Sequence, residues 1–357
     1  MWQGGRQCGM GDRCLRCNAC TINCPVARII GADVFPGPRF FNNISRSLQW
    51  TDFEFLQDTL LFCTSCGKCE EICPYDIDVC PTELRKQLFD KTTKVPRHAS
   101  LLDTVARTGF AIEGELAIAR SETQDPDVLL FPGCLVGIRM PEVARASFTL
   151  MDVFDVSFAI PEGWNCCGST VAKLGAHELS RQLREKNVQA FEKVGAEIIV
   201  TLCPGCASHL RCTCDGFDVY HIVEYLGEVV EVDAVAEHLA KHHKARSISP
   251  AAIHYPCHVL RGGNPLSKTY LHRLAALVAH PVDTEDLCCG AGGGVLSGAS
   301  FLAKMLRQRK LRDIGLIEQL ITACPFCLIN LREGAEELGL PIRARHIVES
   351  LADVIFR

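Results

Sequence analysis

The sequence predicts an α+β multi-domain protein, in which a helical N-terminal domain is followed by two tandem α/β domains of the Rossmann-like kind. Three observations predict this. A cysteine-rich run at 14–25 recurs at 63–74, and a wider pattern of five cysteines at 134–206 recurs at 257–327. In the wider pattern, short apolar runs end at cysteines, as expected for buried parallel strands that present ligands at their carboxyl ends. We expect domains at 1–95, 127–230 and 250–357, joined by a linker at 96–126 and a connecting helix at 231–249.

Composition limits the classes of function. The 357 residues are 48% hydrophobic, enough for two or three cores, and the net charge of −5 gives no electrostatic reason to bind nucleic acid. The first residues lack a signal-peptide pattern, and no run approaches the roughly 18 apolar residues of a membrane helix. The 22 cysteines, mostly spaced as Cys-x-x-Cys, are typical of metal ligands and not of disulfides. We therefore expect a protein of a reducing, anaerobic cytoplasm, peripheral to a membrane only through a partner subunit.

The paired run reads Cys-x-x-Cys-x-x-Cys-x-x-x-Cys-Pro in both copies, which is the ligand run of two-cluster bacterial ferredoxins. Three closely spaced thiolates hold one 4Fe-4S cube, and the fourth, displaced by the proline, reaches the other cube. The first cubane cluster is predicted on Cys14, Cys17, Cys20 and Cys73. The second is predicted on Cys63, Cys66, Cys69 and Cys24. A pair of zinc knuckles is the alternative, which two complete runs with prolines disfavour.

Helical segments are predicted around these runs. Apolar residues recur at helical intervals from Ile44 to Leu61, so the first domain is expected to be a helical ferredoxin. Residues 82–90 predict one more helix, with Thr82 as its cap. The stretch that follows, up to residue 126, is predicted to be a linker.

The wider pattern is an internal duplication. Each copy has one cysteine, then a Cys-Cys-Gly triplet, then a Cys-Pro-x-Cys motif, and the two copies span 72 positions (134 to 206) and 70 positions (257 to 327). Both copies also end in His-Ile-Val-Glu-x-Leu, at 221–226 and 346–351. The first set is Cys134, Cys166, Cys167, Cys203 and Cys206. The second set is Cys257, Cys288, Cys289, Cys324 and Cys327. Each set has five thiols, where a zinc ion or a cubane cluster needs four.

The copies are predicted to be α/β units. Val128 to Phe131 and Ile198 to Thr201 are short apolar runs typical of buried parallel strands, and helices are expected at 177–193 and 301–312. Sites in such sheets form beyond the carboxyl ends of the strands, where the cysteines fall. The second triplet runs into Gly290-Ala291-Gly292-Gly293-Gly294, and residues without side chains let backbone N–H groups approach cluster sulfurs or a ligand.

Four cysteines receive no role, because every predicted cluster is fully ligated without them. They are Cys8, Cys80, Cys212 and Cys214. His258 and His209, next to ligand cysteines, are candidate proton donors, although a histidine bonded inside a packed turn is the plainer interpretation of each. No Gly-Lys-Ser/Thr or suitable Gly-x-Gly-x-x-Gly follows the glycine run, so we expect neither a flavin nor a nucleotide on this chain.

The spacing Cys-x31-Cys-Cys-Gly-x34-Cys-x-x-Cys of the first copy is similar to the CCG domain of the B-type subunit of heterodisulfide reductases. The second copy departs from it by one residue in each interval. Tyr255-Pro256-Cys257-His258 with Arg261-Gly262-Gly263, and the stretch ACPFCLIN at 323–330, also resemble the family's second CCG domain. A two-cubane domain followed by two such domains resembles the D-type subunit, in which the C-type and B-type subunits are fused.

The resemblance implies that each five-cysteine set holds a noncubane 4Fe-4S cluster and that substrate binds between the two. The family reduces the mixed disulfide of coenzyme M and coenzyme B to two thiols. Disulfide cleavage needs two electrons and cubanes pass one at a time, so two clusters flanking the S–S bond can each supply one electron. A nearby acid would deliver protons, with His258 as a candidate. Arg139, Arg261 and Lys173 are candidates to pair with a sulfonate or phosphate of the substrate, or are solvated surface charges.

Two other functions stay open at this stage. The same layout occurs in the iron–sulfur subunits of glycolate, lactate and anaerobic glycerol-3-phosphate dehydrogenases, which relay electrons without disulfide chemistry. The loop Cys289-Gly290-Ala291-Gly292-Gly293-Gly294 resembles the reductase more than those relays. Structural zinc sites that dock a partner are the third possibility, which five ligands in both copies disfavour. In either redox function the electron donor is expected to be a separate flavoprotein or membrane cytochrome b, and the expected substrate of the reductase is a small-molecule disulfide.

Overall fold

The computed structural model describes residues 14–47, 59–77, 79, 81–92, 98–118, 123, 125–242 and 248–355. Over these ranges, no helix is long and apolar enough to cross a bilayer. The predicted helix from Ile44 to Leu61 lies mostly outside them, as do Cys8 and Cys80.

The N-terminal domain is built from short helices. They are Ala19–Ile22, Ala27–Ile30, Pro38–Ser47, Lys68–Glu71 and Pro81–Thr92. Ala19–Ile22 and Lys68–Glu71, one from each cysteine run, pack against each other and bring the two runs side by side. The helix expected at 82–90 begins at Pro81, so Thr82 lies inside its first turn and not at the cap, a position that proline favours because it lacks the N–H that would be unpaired there. A further helix, Ala99–Thr108, falls in the predicted linker, and the Gly109 carbonyl after it accepts a 2.8 Å hydrogen bond from the Cys166 N–H.

Each five-cysteine copy forms its own four-stranded sheet in which all neighbouring strands are parallel. The strands are β1 (Val128–Phe131), β2 (Phe158–Ala159), β3 (Ile198–Thr201), β4 (Asp218–His221), β5 (Pro250–His254), β6 (His280–Asp283), β7 (Gln319–Thr322) and β8 (Arg343–His346). Their orders, β2-β1-β3-β4 and β6-β5-β7-β8, put a change of direction between β1 and β3 and between β5 and β7. This is the position where parallel α/β sheets form their sites. The expected parallel α/β units are confirmed, while the finer likeness to a Rossmann fold stays a prediction.

Helices cover the sheets. In the first unit they are Cys134–Arg139, Pro141–Val153, Ser169–Lys173, His177–Glu192, Pro204–Thr213 and Ile222–Glu224, the last continued by a π-helical turn, Tyr225–Val229. In the second unit they are Cys257–Arg261, Ser267–Ala276, Val295–Gly298, Ser300–Ile314, Pro325–Glu337 and Ile347–Ile355, and Val232–His242 joins the two units. The strands predicted at 128–131 and 198–201 are confirmed, as are the helices predicted near 177–193 and 301–312.

The repeated His-Ile-Val-Glu segment has the same structural role in both units. His221 and His346 end strands β4 and β8, and each accepts a hydrogen bond at Nδ1 from the backbone N–H two residues on. The glutamates Glu224 and Glu349 accept a bond in turn from the histidine N–H, at 2.9 and 2.7 Å. These are reciprocal caps of the helix that follows.

The two units pack with near two-fold symmetry. Arg211 of the first unit pairs with Glu224 and reaches the Gly262 carbonyl of the second unit at 3.3 Å. Its counterpart Arg332 pairs with Glu349 and reaches Glu142 of the first unit at 3.4 Å. The same surface on each unit is therefore used against the other, as in an isologous dimer.

Candidate metal centres

The first five-cysteine set gathers at the carboxyl end of the first sheet. Cys134 begins the helix after β1, Cys203 follows β3 by two residues, and Cys206 lies in the first turn of helix Pro204–Thr213. Cys166 and Cys167 come from the loop before helix Ser169–Lys173. All five are at most 6% exposed.

The thiols of this set contact one another in a chain. Cys166 hydrogen bonds with Cys134 and Cys167, and Cys206 bonds with Cys167 and Cys203. The pKa values of Cys166 and Cys203 are held well below the usual range, because neighbouring thiols donate to them. The pKa values of Cys134, Cys167 and Cys206 are raised well above it, chiefly because these thiols donate their protons to neighbours. Five buried sulfurs at contact distance are stable as thiolates only beside a cation, so they form a donor set for a metal or cluster.

The second set repeats the arrangement. Cys257 begins the helix after β5, and Cys324 and Cys327 flank the start of helix Pro325–Glu337. The Sγ atoms of Cys289 and Cys327 are 3.1 Å apart, and the Gly290 N–H points at Cys288 Sγ from 3.3 Å. A cavity opens here, lined among others by Cys257, Cys288, Cys289 and Cys327. The chemistry of the donors and the space beside them fit an iron–sulfur cluster.

The two sets adjoin each other. Cys203 of the first and Cys324 of the second are hydrogen-bond partners. Beside them, Lys173 Nζ of the first unit lies 2.7 Å from His258 Nε2 of the second. The charges that act on Lys173 include thiolates of both sets, among them Cys257 and Cys167.

Lys173 and His258 are both buried, and burial shifts their protonation. It lowers the pKa of His258 to about 3, with the adjacent Lys173 charge adding to the effect. Burial also lowers the pKa of Lys173, while the nearby thiolates oppose that shift. At neutral pH the imidazole is therefore neutral, and the ammonium of Lys173 donates to its Nε2. The other ring nitrogen, Nδ1, lies 3.5 Å from Cys257 Sγ.

The ferredoxin-type cysteines divide between two places. Cys24, although it belongs to the first run, lies close enough to Cys63 and Cys66 for their charges to add to the burial that raises its pKa to about 12. Cys69 is influenced by Cys63, Cys66 and Cys24 in the same way. In the first run Cys20 lies near Cys14. Cys17 is exposed and Cys73 is half-buried.

The second run docks on the glycine loop of the second unit. A Cβ atom on Gly292 would lie 2.6 Å from the Thr64 carbonyl oxygen, and one on Gly293 would lie 2.4 Å from that of Cys63. Only glycine permits this approach of backbone to backbone. The glycines therefore seat the N-terminal domain, a role that the sequence did not reveal.

Arg85 fastens this interface. Its guanidinium is 1% exposed and donates to the carbonyl oxygens of Leu60 and Cys63 in the N-terminal domain, of Lys173 in the first unit at 2.9 Å, and of Gly293 in the second unit at 3.0 Å. Sequence reasoning missed Arg85, since its partners lie up to 208 positions away. Its place in a polar helix gives no signal of burial.

The three basic residues considered for substrate binding have different surroundings. Arg261 forms ion pairs with Glu71 at 2.9 Å and Asp286 at 2.8 Å, and donates to the Cys66 carbonyl oxygen. It joins the N-terminal domain to the second unit. Arg139 is exposed, and Lys173 is buried between the cysteine sets.

Two further histidines lie at the cysteine sets. His209 is buried beside the first set, near Cys166, and burial lowers its pKa to about 4. His254, which sequence reasoning missed, has a ring nitrogen within 4.8 Å of both Cys289 Sγ and Cys327 Sγ. The signal that would have found it is the repeat itself, because the matching position in the first unit is apolar. Of the unassigned cysteines, Cys214 is buried beside Thr213 and Cys212 is half-buried.

Known families match most of this layout. A family described as a cysteine-rich domain (CCG) matches residues 128–211 and again 251–332, and one described as a 4Fe-4S dicluster domain matches 10–77. An iron–sulfur protein of Methanocaldococcus jannaschii is 30% identical, across 96% of this chain and 73% of its own.

Two named relatives belong to oxidoreductases of several subunits. The B-type subunit of the fumarate reductase (CoM/CoB) of Methanothermobacter marburgensis is 29% identical, across 95% of this chain and 71% of its own. The D-type subunit of the dihydromethanophenazine:CoB–CoM heterodisulfide reductase of Methanosarcina barkeri is 25% identical, across 96% of this chain and 94% of its own. The chain thus belongs to the CCG-domain iron–sulfur family, as an oxidoreductase subunit related to the D-type subunit of heterodisulfide reductases.

Proposed function

We propose that this chain is the catalytic subunit of a disulfide reductase, and that it cleaves the mixed disulfide of coenzyme M and coenzyme B between its two five-cysteine sets. The observation that carries the proposal is the contact of Cys203 with Cys324, which places the two sets against each other with Lys173 and His258 beside them. Two of the named relatives carry CoM and CoB in their names, which supports this choice of substrate.

The eighteen cysteines are assigned as ligands of four clusters. Cys14, Cys17, Cys20 and Cys73 hold the first cubane 4Fe-4S cluster, and Cys63, Cys66, Cys69 and Cys24 hold the second. Cys134, Cys166, Cys167, Cys203 and Cys206 hold one noncubane 4Fe-4S cluster, and Cys257, Cys288, Cys289, Cys324 and Cys327 hold the other. When bound, each noncubane cluster supplies one electron to the S–S bond, so that the disulfide, two electrons and two protons yield two thiols.

The chain's own residues order the electron route. Cys66 lies close enough to Cys257 and Cys288 for its charge to raise their pKa values, and it lines the same cavity. The second cubane site therefore adjoins the second noncubane site. The Arg85 and Arg261 contacts hold the two domains at this distance.

Proton delivery falls to Lys173. It holds a proton at neutral pH, whereas its neighbour His258, with a pKa of about 3, does not. We assign Lys173 as the acid that protonates a product thiolate, with His258 orienting its ammonium group through Nε2. This assignment shifts the acid from His258, the residue that the sequence favoured.

The electron donor, a flavoprotein or a membrane cytochrome b, is placed at the first cubane site. Cys17 is exposed there, and two apolar side chains of the same run are unusually open, with Leu15 66% and Ile22 62% exposed. Exposed apolar patches of this kind are typical of docking surfaces.

Rapid-freeze EPR tests the proposal against a pure electron relay. The full chain, purified anaerobically with its iron counted, is reduced and mixed with the coenzyme M–coenzyme B disulfide. We expect the noncubane signals to be oxidised first and the cubane signals after them. Signals that stay reduced in the presence of the disulfide would identify a relay and overturn the proposal.

A further inference from the structure

The two cysteine sets differ at one buried position. His254 ends strand β5 and is paired in register with Thr322, while Phe131 ends β1 and is paired with Thr201. His254 and Phe131 are therefore equivalent in the duplication. Phe131 packs edge-on against Trp164 and contributes only to the core.

His254 is turned toward the second cysteine set. It is 2% exposed, it lines the cavity beside Cys257 and Cys288, and one ring nitrogen lies within 4.8 Å of Cys289 Sγ and Cys327 Sγ. In the part of the chain that the structure describes, its Nε2 has no hydrogen-bond partner. A buried ring nitrogen without a partner is costly unless something at the site accepts its proton.

We infer that His254 donates a hydrogen bond to the sulfurs of the cluster at the second set, and that this bond makes the two noncubane sites inequivalent. Hydrogen bonds to cluster sulfurs stabilise the more negative, reduced state and raise the reduction potential. The second site, which adjoins the second cubane site, thus has the higher potential of the two and is reduced first. The first site, with Phe131 at the same position, lacks this donor.

This inference rests on the cluster assignment of the proposed function and not on its substrate. Five cysteines already supply the ligands, so His254 acts as a positioning and tuning residue and not as a sixth ligand.

The test is an EPR-monitored redox titration of the full chain with its clusters bound. The His254→Phe variant installs the residue of the first unit, and Phe131→His is its mirror image. We expect His254→Phe to lower the midpoint potential of the second noncubane signal, with iron content unchanged and the first signal unmoved. Phe131→His should raise the potential of the first signal. His254→Gln, which keeps an N–H donor, should retain most of the wild-type potential.

Two results would overturn the inference. An unchanged potential in His254→Phe, with iron content intact, would show that no such bond exists. A loss of about four irons would show that the imidazole is a ligand. Should His254→Phe not fold, the wild-type protein with nitrogen-15-labelled histidine decides: a weak nitrogen coupling to one noncubane signal is expected, and a strong coupling or none contradicts the inference. Wild-type protein without a noncubane signal would instead refute the cluster assignment.

Discussion

Lys173 Nζ lies 2.7 Å from His258 Nε2, a contact that joins the end of a helix in the first α/β unit to the start of a helix in the second. The hypothetical Cβ of Gly205 would lie 3.6 Å from the same imidazole and 3.7 Å from Cys203 Sγ, so the pair sits directly at the seam of the cysteine sets. A buried ammonium beside a neutral imidazole is a proton source held out of water. It lies where the products of a disulfide reduction need protons.

Removal of the Lys173 ammonium should slow disulfide reduction. We expect Lys173→Met to lower the steady-state rate by about 10²- to 10⁴-fold, the usual contribution of a positioned acid. Iron content and the EPR signals should be unchanged, since the lysine is not a ligand. Lys186→Met, at an exposed position of a nearby helix, serves as the matched control and should keep full activity. Equal rates for the two variants would remove Lys173 from the mechanism.

The pH profile should report the same residue. Burial lowers the Lys173 pKa from 10.5, and the ammonium form is the active one, so the rate is present below that pKa and lost as pH rises through it. His258, with a pKa of about 3, should add no step between about pH 5 and 8. Stopped-flow rates across this range and above it check both statements. A change of rate near pH 6.5, absent from a His258→Gln variant, would show that the histidine is the acid.

Cys289 should be needed for one cluster only. Cys289→Ser is expected to abolish disulfide reduction and to remove the second noncubane signal, while both cubane signals persist. Its control is Cys214→Ser, because Cys214 is equally buried but contacts Thr213 and not the cysteine sets. Iron analysis and EPR of both variants make the comparison. If the cubane signals were lost with Cys289→Ser, the proposed separation of the clusters would be wrong.

The glycine loop should govern electron entry. Gly293 has φ of 62°, and a Cβ there would overlap the Cys63 carbonyl, so Gly293→Ala should displace the N-terminal domain and slow electron transfer from the cubane to the noncubane sites. Gly339 has nearly the same φ, 61°, with nothing near its Cβ position. Gly339→Ala therefore carries a similar backbone strain of about 1–2 kcal/mol without the overlap.

Transient absorption after rapid reduction compares these two variants. Slower electron transfer in Gly293→Ala alone is the expected result. Equal rates in both would mean that the loop does not seat the N-terminal domain.

Local pattern made much of this architecture predictable. The strands at 128–131 and 198–201 are apolar runs in the centre of the first sheet's order, so burial on both faces shows in the sequence. The cysteine sets were found because ligand spacing is a local property. Strands β2 and β6 lie at sheet edges, and β2 has only two residues, so neither leaves a hydrophobic run to recognise.

Contacts between distant segments were not predictable. Arg85 meets Gly293 across 208 positions, and Lys173 meets His258 across 85. The glycine run signalled a close approach, but the sequence does not say whether a cluster or the N-terminal domain approaches it. His254 was hidden because a lone histidine in an apolar strand is usually a core residue, and only its register with Thr322 places it over the cysteines.

Steady-state turnover measures the central claim most directly. The full chain is supplied anaerobically with a reduced viologen and the coenzyme M–coenzyme B disulfide, and iron is counted on the same sample. The account predicts release of two thiols for each pair of viologen electrons, from protein with about sixteen irons, as four 4Fe-4S clusters require. The same iron content with no release of thiols would contradict it and leave the chain as an electron relay.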